Sequence, residues 1–148
     1  MSSPLVAALD QIDALWEALT PPDRTDVTYH SIANRVLSTG ASGDRSFYPD
    51  PSPSSEPTAE AGVDATQVWW DAPYRLRLQQ SGLTRGAAAR AVANEVALLS
   101  RAVMKVSSWP ANVLDVVYAG HEFSFSEGDD QGDLLVTINL RVLTSETD

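Results

Sequence analysis

Cysteine is absent from the 148 residues of this chain. Its absence excludes disulfides, thiolate nucleophiles and any cysteine-based zinc or iron–sulfur site. Histidine is scarce. His30 and His121 stand alone, with no HxH or HExxH spacing, so each reads as a structural or surface residue. Lys105 is the single lysine against nine arginines, a bias that suits a GC-rich genome. No apolar run approaches the roughly 18 residues of a membrane span. The opening stretch MSSPLVAALDQIDALWEAL has no basic part before its apolar residues, and acids interrupt it from Asp10 onward. It therefore does not read as a signal peptide. There is no G-x-S-x-G elbow, and Gly40-Ala41-Ser42-Gly43-Asp44 lacks the lysine of a phosphate-binding loop. The sequence supports no catalytic site, no cofactor and no metal.

Positive charge is also in short supply, and the net charge is −10. Residues 1–26 carry a net −4, residues 27–126 a net −1 and residues 127–148 a net −5. Both ends are acidic around a nearly neutral middle. Such a chain is a poor nucleic-acid binder, because that affinity comes largely from neutralising phosphates.

Hydrophobic residues make up 43% of the chain, enough for one domain spanning 1–148 with a real core. Leu5, Ala8, Leu9, Ile12, Leu15, Trp16 and Leu19 follow helical spacing, which predicts an amphipathic helix over 4–19. Ser2 or Ser3 would cap it, and Thr20-Pro21-Pro22 would stop it. Residues 27–37 alternate imperfectly, so a strand competes there with a short helix around 30–37. Residues 38–64 hold four prolines, three glycines and many serines, and read as one long irregular loop. Phe47-Tyr48 is an aromatic pair able to anchor it.

Residues 65–79 read as a strand, with Tyr74, Leu76 and Leu78 on one face and Arg75, Arg77 and Gln79 on the other. Pro73 suggests an edge strand, a bulge or a break near Asp71. Residues 84–106 are the strongest helix, with Thr84 as its cap. Ala88, Ala91, Val92, Glu95, Val96, Leu99, Ala102, Val103 and Val106 trace one face. Residues 113–125 and 133–143 form a hairpin across EGDDQG, with a bulge expected at Gly120-His121. The fold class expected is α+β: an antiparallel or mixed sheet of about four strands flanked by two helices, with a long irregular loop.

The candidate residues are of three kinds. Glu127, Asp129, Asp130 and Asp133 crowd one turn, where they could hold a hard cation, but the calcium-loop pattern fails and a solvated hairpin tip is the simpler reading. Arg75 and Arg77, with Arg85, Arg90 and Arg101, could form a basic face; solvation or pairing with acids of a neighbouring subunit is the plainer role. Trp69 and Trp70 must point to opposite faces of a strand, one into the core and the other toward a second layer or a subunit interface.

This order of elements, with the LTRGAAARAVANEVALLSRAVM helix and the VLDVVYAGHEFSFS and DLLVTINLRVL strands, resembles the tail-terminator (tail-completion) proteins of long-tailed bacteriophages and gene-transfer particles. The likeness covers nearly the whole chain and carries over no site residues. It implies a homohexameric ring that caps the tail tube and joins it to the head connector. It also implies assembly in the host cytoplasm, residence at the head-proximal end of the virion tail, and no membrane. DNA would pass through the lumen without specific binding, helped by acidic repulsion. Glu127, Asp129, Asp130, Asp133, Trp69, Trp70, Arg75 and Arg77 would then be lumen or interface residues. A head–tail joining (neck) protein and a free-standing acidic binding module are the alternatives.

Overall fold

Local sequence signals set the two helices. The computed structural model describes residues 3–22, 24–32, 44–53, 65–79, 84–125 and 133–147. Helix α1 spans Pro4–Glu17. The Ser3 hydroxyl accepts from the Val6 amide at 3.2 Å, and Pro4 occupies the first turn, where no amide hydrogen is needed. Helix α2 spans Arg85–Met104, and Thr84 caps it by accepting from the Ala87 amide at 3.2 Å. Each buries one stripe: Leu5, Ala8, Leu9, Ile12 and Trp16 from α1, and Ala88, Ala91, Val92, Glu95, Val96, Leu99 and Val103 from α2.

The strands are β1 (His30–Ser31), β2 (Ser46–Pro49), β3 (Ser52–Pro53), β4 (Ala65–Gln79), β5 (Val113–Phe125) and β6 (Asp133–Thr147). They form one mixed sheet in the order β1-β2-β4-β6-β5, with β3 also paired to β4. Only β1 and β2 run parallel. The α+β expectation therefore holds. β4, β5 and β6 begin where alternation placed them, and β6 runs four residues further than expected. Of the strand and the short helix that compete over 27–37, the described residues show a strand, the two-residue β1; residues 33–40 lie outside the described part.

Two expectations need correction. The Pro/Ser-rich stretch 38–64 is not wholly irregular, because β2 and β3 lie inside it and Arg45, Ser46 and Phe47 are buried. Pro73 is neither at an edge nor at a break, since β4 runs unbroken between β2/β3 and β6. The reason is local. A residue's N–H and C=O point to the same side of a strand. Pro73 accepts from the Asp50 amide at 2.9 Å, so its missing N–H faces the gap where β2 gives way to β3.

Both helices pack on one face of the sheet. That face buries Ala72, Tyr74, Leu76 and Leu78 from β4 and Leu134, Val136, Ile138, Leu140 and Val142 from β6. Trp16 is the centrepiece. It is fully buried, meets Tyr74 and Phe47 edge-on at 4.6 and 5.3 Å, and donates its indole N–H to the Leu99 carbonyl at 3.0 Å. One residue thereby ties α1 to β2, β4 and α2. The sheet outreaches this layer: the 15 residues of β6 span about 50 Å, against about 30 Å for the 20 residues of α2. Along β5 the pairing to β6 slips twice, between Val113 and Asp115 and between Tyr118 and His121. Gly120 takes φ +106 at the second slip, so the bulge expected at Gly120-His121 is present.

Candidate functional site: the open face of the sheet

The other face of the sheet carries the odd-numbered residues of β4 and β6, and no helix among the described residues covers it. Trp69, Arg75 and Arg77 lie there, each part-exposed, while Trp70 turns inward and donates its indole N–H to the buried Thr144 hydroxyl at 3.1 Å. The two tryptophans thus divide between faces as strand geometry requires.

Pairing builds rows across this open face. Tyr48, Arg75, Thr137 and Glu122 are successive partners on β2, β4, β6 and β5, and Arg77, Leu135 and Ser124 form the next row. Between these rows opens a hollow of about 570 Å³, within the range of small-ligand and peptide-side-chain pockets. Arg75 donates to the Thr137 hydroxyl at 2.8 Å and lies 3.6 Å from Asp50, so it stands braced in position. Tyr48 and Leu135 are 42% and 48% exposed, which puts apolar surface beside the guanidinium groups. Farther along the sheet, the Arg141 guanidinium sits 4.8 Å over the Trp69 ring and 3.4 Å from Asp71. The face offers aromatic, aliphatic and arginine side chains together, the composition of protein contact surfaces.

A second polar constellation is sealed inside. Arg45 stands in the left-handed backbone region at φ 62. Its amide donates to the Arg77 carbonyl at 2.7 Å, and its carbonyl accepts from the His30 amide at 3.1 Å. The side chain is fully buried. It donates to both carboxylate oxygens of Glu95, at 2.8 and 2.7 Å, and to Asp44 at 2.6 Å. Tyr29 donates its hydroxyl to Glu95 at 2.6 Å. Burial works against the Arg45 charge, but Glu95 and Asp44 more than offset it, and its pKa rises. Burial, then the Glu95 charge, pushes the Tyr29 phenol far up. Arg45, Glu95 and Tyr29 bond one another. Asp44 accepts from both Arg45 and the Gln79 amide through one oxygen, while its other, buried oxygen has, among the described residues, only the Arg24 guanidinium near it at 3.8 Å, so the constellation braces the fold.

Arg75 and Arg77 do not share a face with Arg85, Arg90 and Arg101, which stand on α2 in the other layer; the single basic face considered from sequence is therefore two surfaces. Glu127, Asp129 and Asp130 lie outside the described residues. Asp133 opens β6 opposite Gln79, and its side chain is also outside the described part. His121 is exposed and shares a 2.6 Å hydrogen bond with Tyr118. Among the described residues no three His, Asp or Glu side chains converge as metal ligands, and no helix is long and apolar enough to cross a membrane. Sequence reasoning missed Thr137, Leu135 and Glu122 as lining residues and missed the Arg45–Glu95 pair. The one available hint was Glu95 itself, a carboxylate on an otherwise apolar helix face. No protein-family model matches this sequence, and no curated protein matches it.

Proposed function

We propose that this chain is a structural subunit of a tailed virus-like particle, a tail terminator that caps the tail tube as a homohexameric ring and joins it to the head connector. In this reading it works by assembling and catalyses nothing. The observation that carries the reading is the open face of the sheet. A long sheet covered by helices on one side leaves Tyr48, Trp69, Leu135, Arg75 and Arg77 to meet another protein surface. The net charge of −10 suits a component that DNA passes without adhering, since like charge opposes phosphate contact.

Electron microscopy of the purified chain, alone and mixed with tail tubes, tests this. Rings, or density closing the tube ends, are expected. Leu135→Asp combined with Arg77→Glu should abolish end-capping while leaving the circular dichroism spectrum unchanged. A chain that stays monomeric at high concentration and never decorates tube ends would overturn the proposal.

A further inference from the structure

We propose that the hollow on the open face takes an acidic segment of a partner protein, a carboxylate side chain lodging between Arg75 and Arg77 while an apolar neighbour lies on Tyr48 and Leu135. That contact rests on the reading of the open face given above, and it names the chemistry of the surface that would meet it.

Arg75 and Arg77 stand two positions apart on β4, so their side chains leave the same face about 7 Å from each other. β4 is paired on both sides, by β2 and by β6, which holds their backbone in place. In a chain of net charge −10, the centre of the open face thus presents two part-exposed cations. Arg75 is aimed by the hydrogen bond from its Nη1 to the Thr137 hydroxyl at 2.8 Å. Its Nη2 meets the Asp50 carboxylate at 3.6 Å, beyond the length of a good hydrogen bond. The two side chains of that pair are 42% and 64% exposed, so water screens it and a ligand carboxylate can take the closer place. A carboxylate there accepts charge-assisted hydrogen bonds from guanidinium groups already in position.

The surroundings of the two arginines select the kind of anion. Tyr48 on β2 pairs with Arg75, and Leu135 on β6 pairs with Arg77, so exposed apolar surface lies on both sides of the cations. An apolar side chain laid there leaves water, which adds to the charge contact. Asp50 follows β2, and Glu122 stands on β5 opposite Thr137, so a negative charge also lies on either side of β4. One carboxylate fits between them, whereas a phosphate dianion or a DNA backbone would face both acids. The volume of about 570 Å³ gives room for the side chains of a short segment. Charge, apolar flanks and size together fit an acidic stretch of protein.

An NMR titration of the nitrogen-15-labelled full chain with a capped peptide, acetyl-Ala-Leu-Glu-Leu-Ala-amide, reads this directly. Amide shifts are expected at Tyr48, Arg75, Arg77, Leu135 and Thr137 and not along α1 or α2. The same peptide with glutamine in place of glutamate should bind about tenfold more weakly. Arg75→Gln should lose about tenfold for the glutamate peptide and nothing for the glutamine one. Leu135→Ala should weaken both peptides alike. Circular dichroism of each variant should match the wild type, since both side chains are largely exposed. Equal affinity for the two peptides, or shifts confined to other surfaces, would overturn the proposal. So would inorganic phosphate or a short DNA duplex binding the same residues more tightly than the glutamate peptide. Capped tube ends with no preference for the carboxylate overturn this contact and leave the structural reading intact. Carboxylate binding by a chain that never caps tubes does the reverse.

Discussion

Arg45 grips Glu95 through two parallel hydrogen bonds, Nε to Oε1 at 2.8 Å and Nη2 to Oε2 at 2.7 Å, across fifty positions of sequence and with almost no solvent at either end. A forked pair of this kind is strong because the planar guanidinium matches the carboxylate. Breaking one side leaves a buried charge alone. Glu95→Gln should therefore cost about 3–5 kcal/mol, a large share of the roughly 5–15 kcal/mol that holds a domain. Removing the three fully buried polar groups at once, as Tyr29→Phe/Arg45→Met/Glu95→Leu, should recover much of that loss, since the remaining Asp44 is part-exposed and has Arg24 nearby. Urea unfolding of the three proteins checks the order: wild type and triple variant above Glu95→Gln.

Asp13 supplies a pH signature. Burial raises its pKa above 3.8, against the lowering effect of hydrogen bonds from Ser31 and Tyr74. The folded state thus holds a proton that the unfolded chain has already lost. Its contribution to stability is fully present below pH 3.8 and is lost as pH rises through the native value. Asp13→Asn keeps an acceptor for Tyr74 without the charge. The variant should lack this fall in stability and equal or exceed the wild type at neutral pH, as read from urea midpoints across the acidic range.

The buried phenols set the alkaline limit. Burial, then a nearby carboxylate, raises both Tyr29 and Tyr74 well above 10.0, Glu95 acting on the first and Asp13 on the second. The unfolded chain ionises first, so stability present below pH 10 is lost as pH rises beyond it. Phenolate absorbance from these two residues should appear together with the loss of helical circular dichroism. Ionisation that precedes unfolding would contradict the burial described for them.

Trp69 and Trp70 should separate cleanly on mutation. Trp70 packs against the core and bonds Thr144, so Trp70→Ala should cost about 3 kcal/mol. Trp69 contributes chiefly its stack with Arg141 on the open face, and Trp69→Ala should cost about 1 kcal/mol or less. Chemical denaturation at unchanged m-value distinguishes the two.

What could be read from the sequence follows the range of the forces involved. The buried stripes of α1 and α2, the Thr84 cap and the alternation of β4 and β6 are local, and periodicity displays them. Strand β2 is different. Phe47 and Tyr48 alternate in and out only because β4 receives them, and nothing within a proline- and serine-rich stretch announces that partner. Pro73 misleads for the same reason, since its place in a central strand depends on the gap between β2 and β3. Arg45 and Glu95 lie too far apart for any spacing rule to join them. On the open face, Arg75 and Arg77 were legible from parity, as was the split of Trp69 and Trp70 between faces though not which of them turns inward, whereas Leu135 and Thr137 needed the register of β6 against β4.

The two slips in β5 bear on how this molecule can grow. An edge strand of thirteen residues would ordinarily offer a continuous ladder to any passing strand. Here a newcomer laid along β5 meets a row of donors and acceptors interrupted near Val113 and again at Gly120. Backbone-driven stacking into open-ended fibrils is thereby discouraged. Whatever surface meets this protein is left to side chains, whose shapes, unlike a bare backbone ladder, fit a limited set of partners.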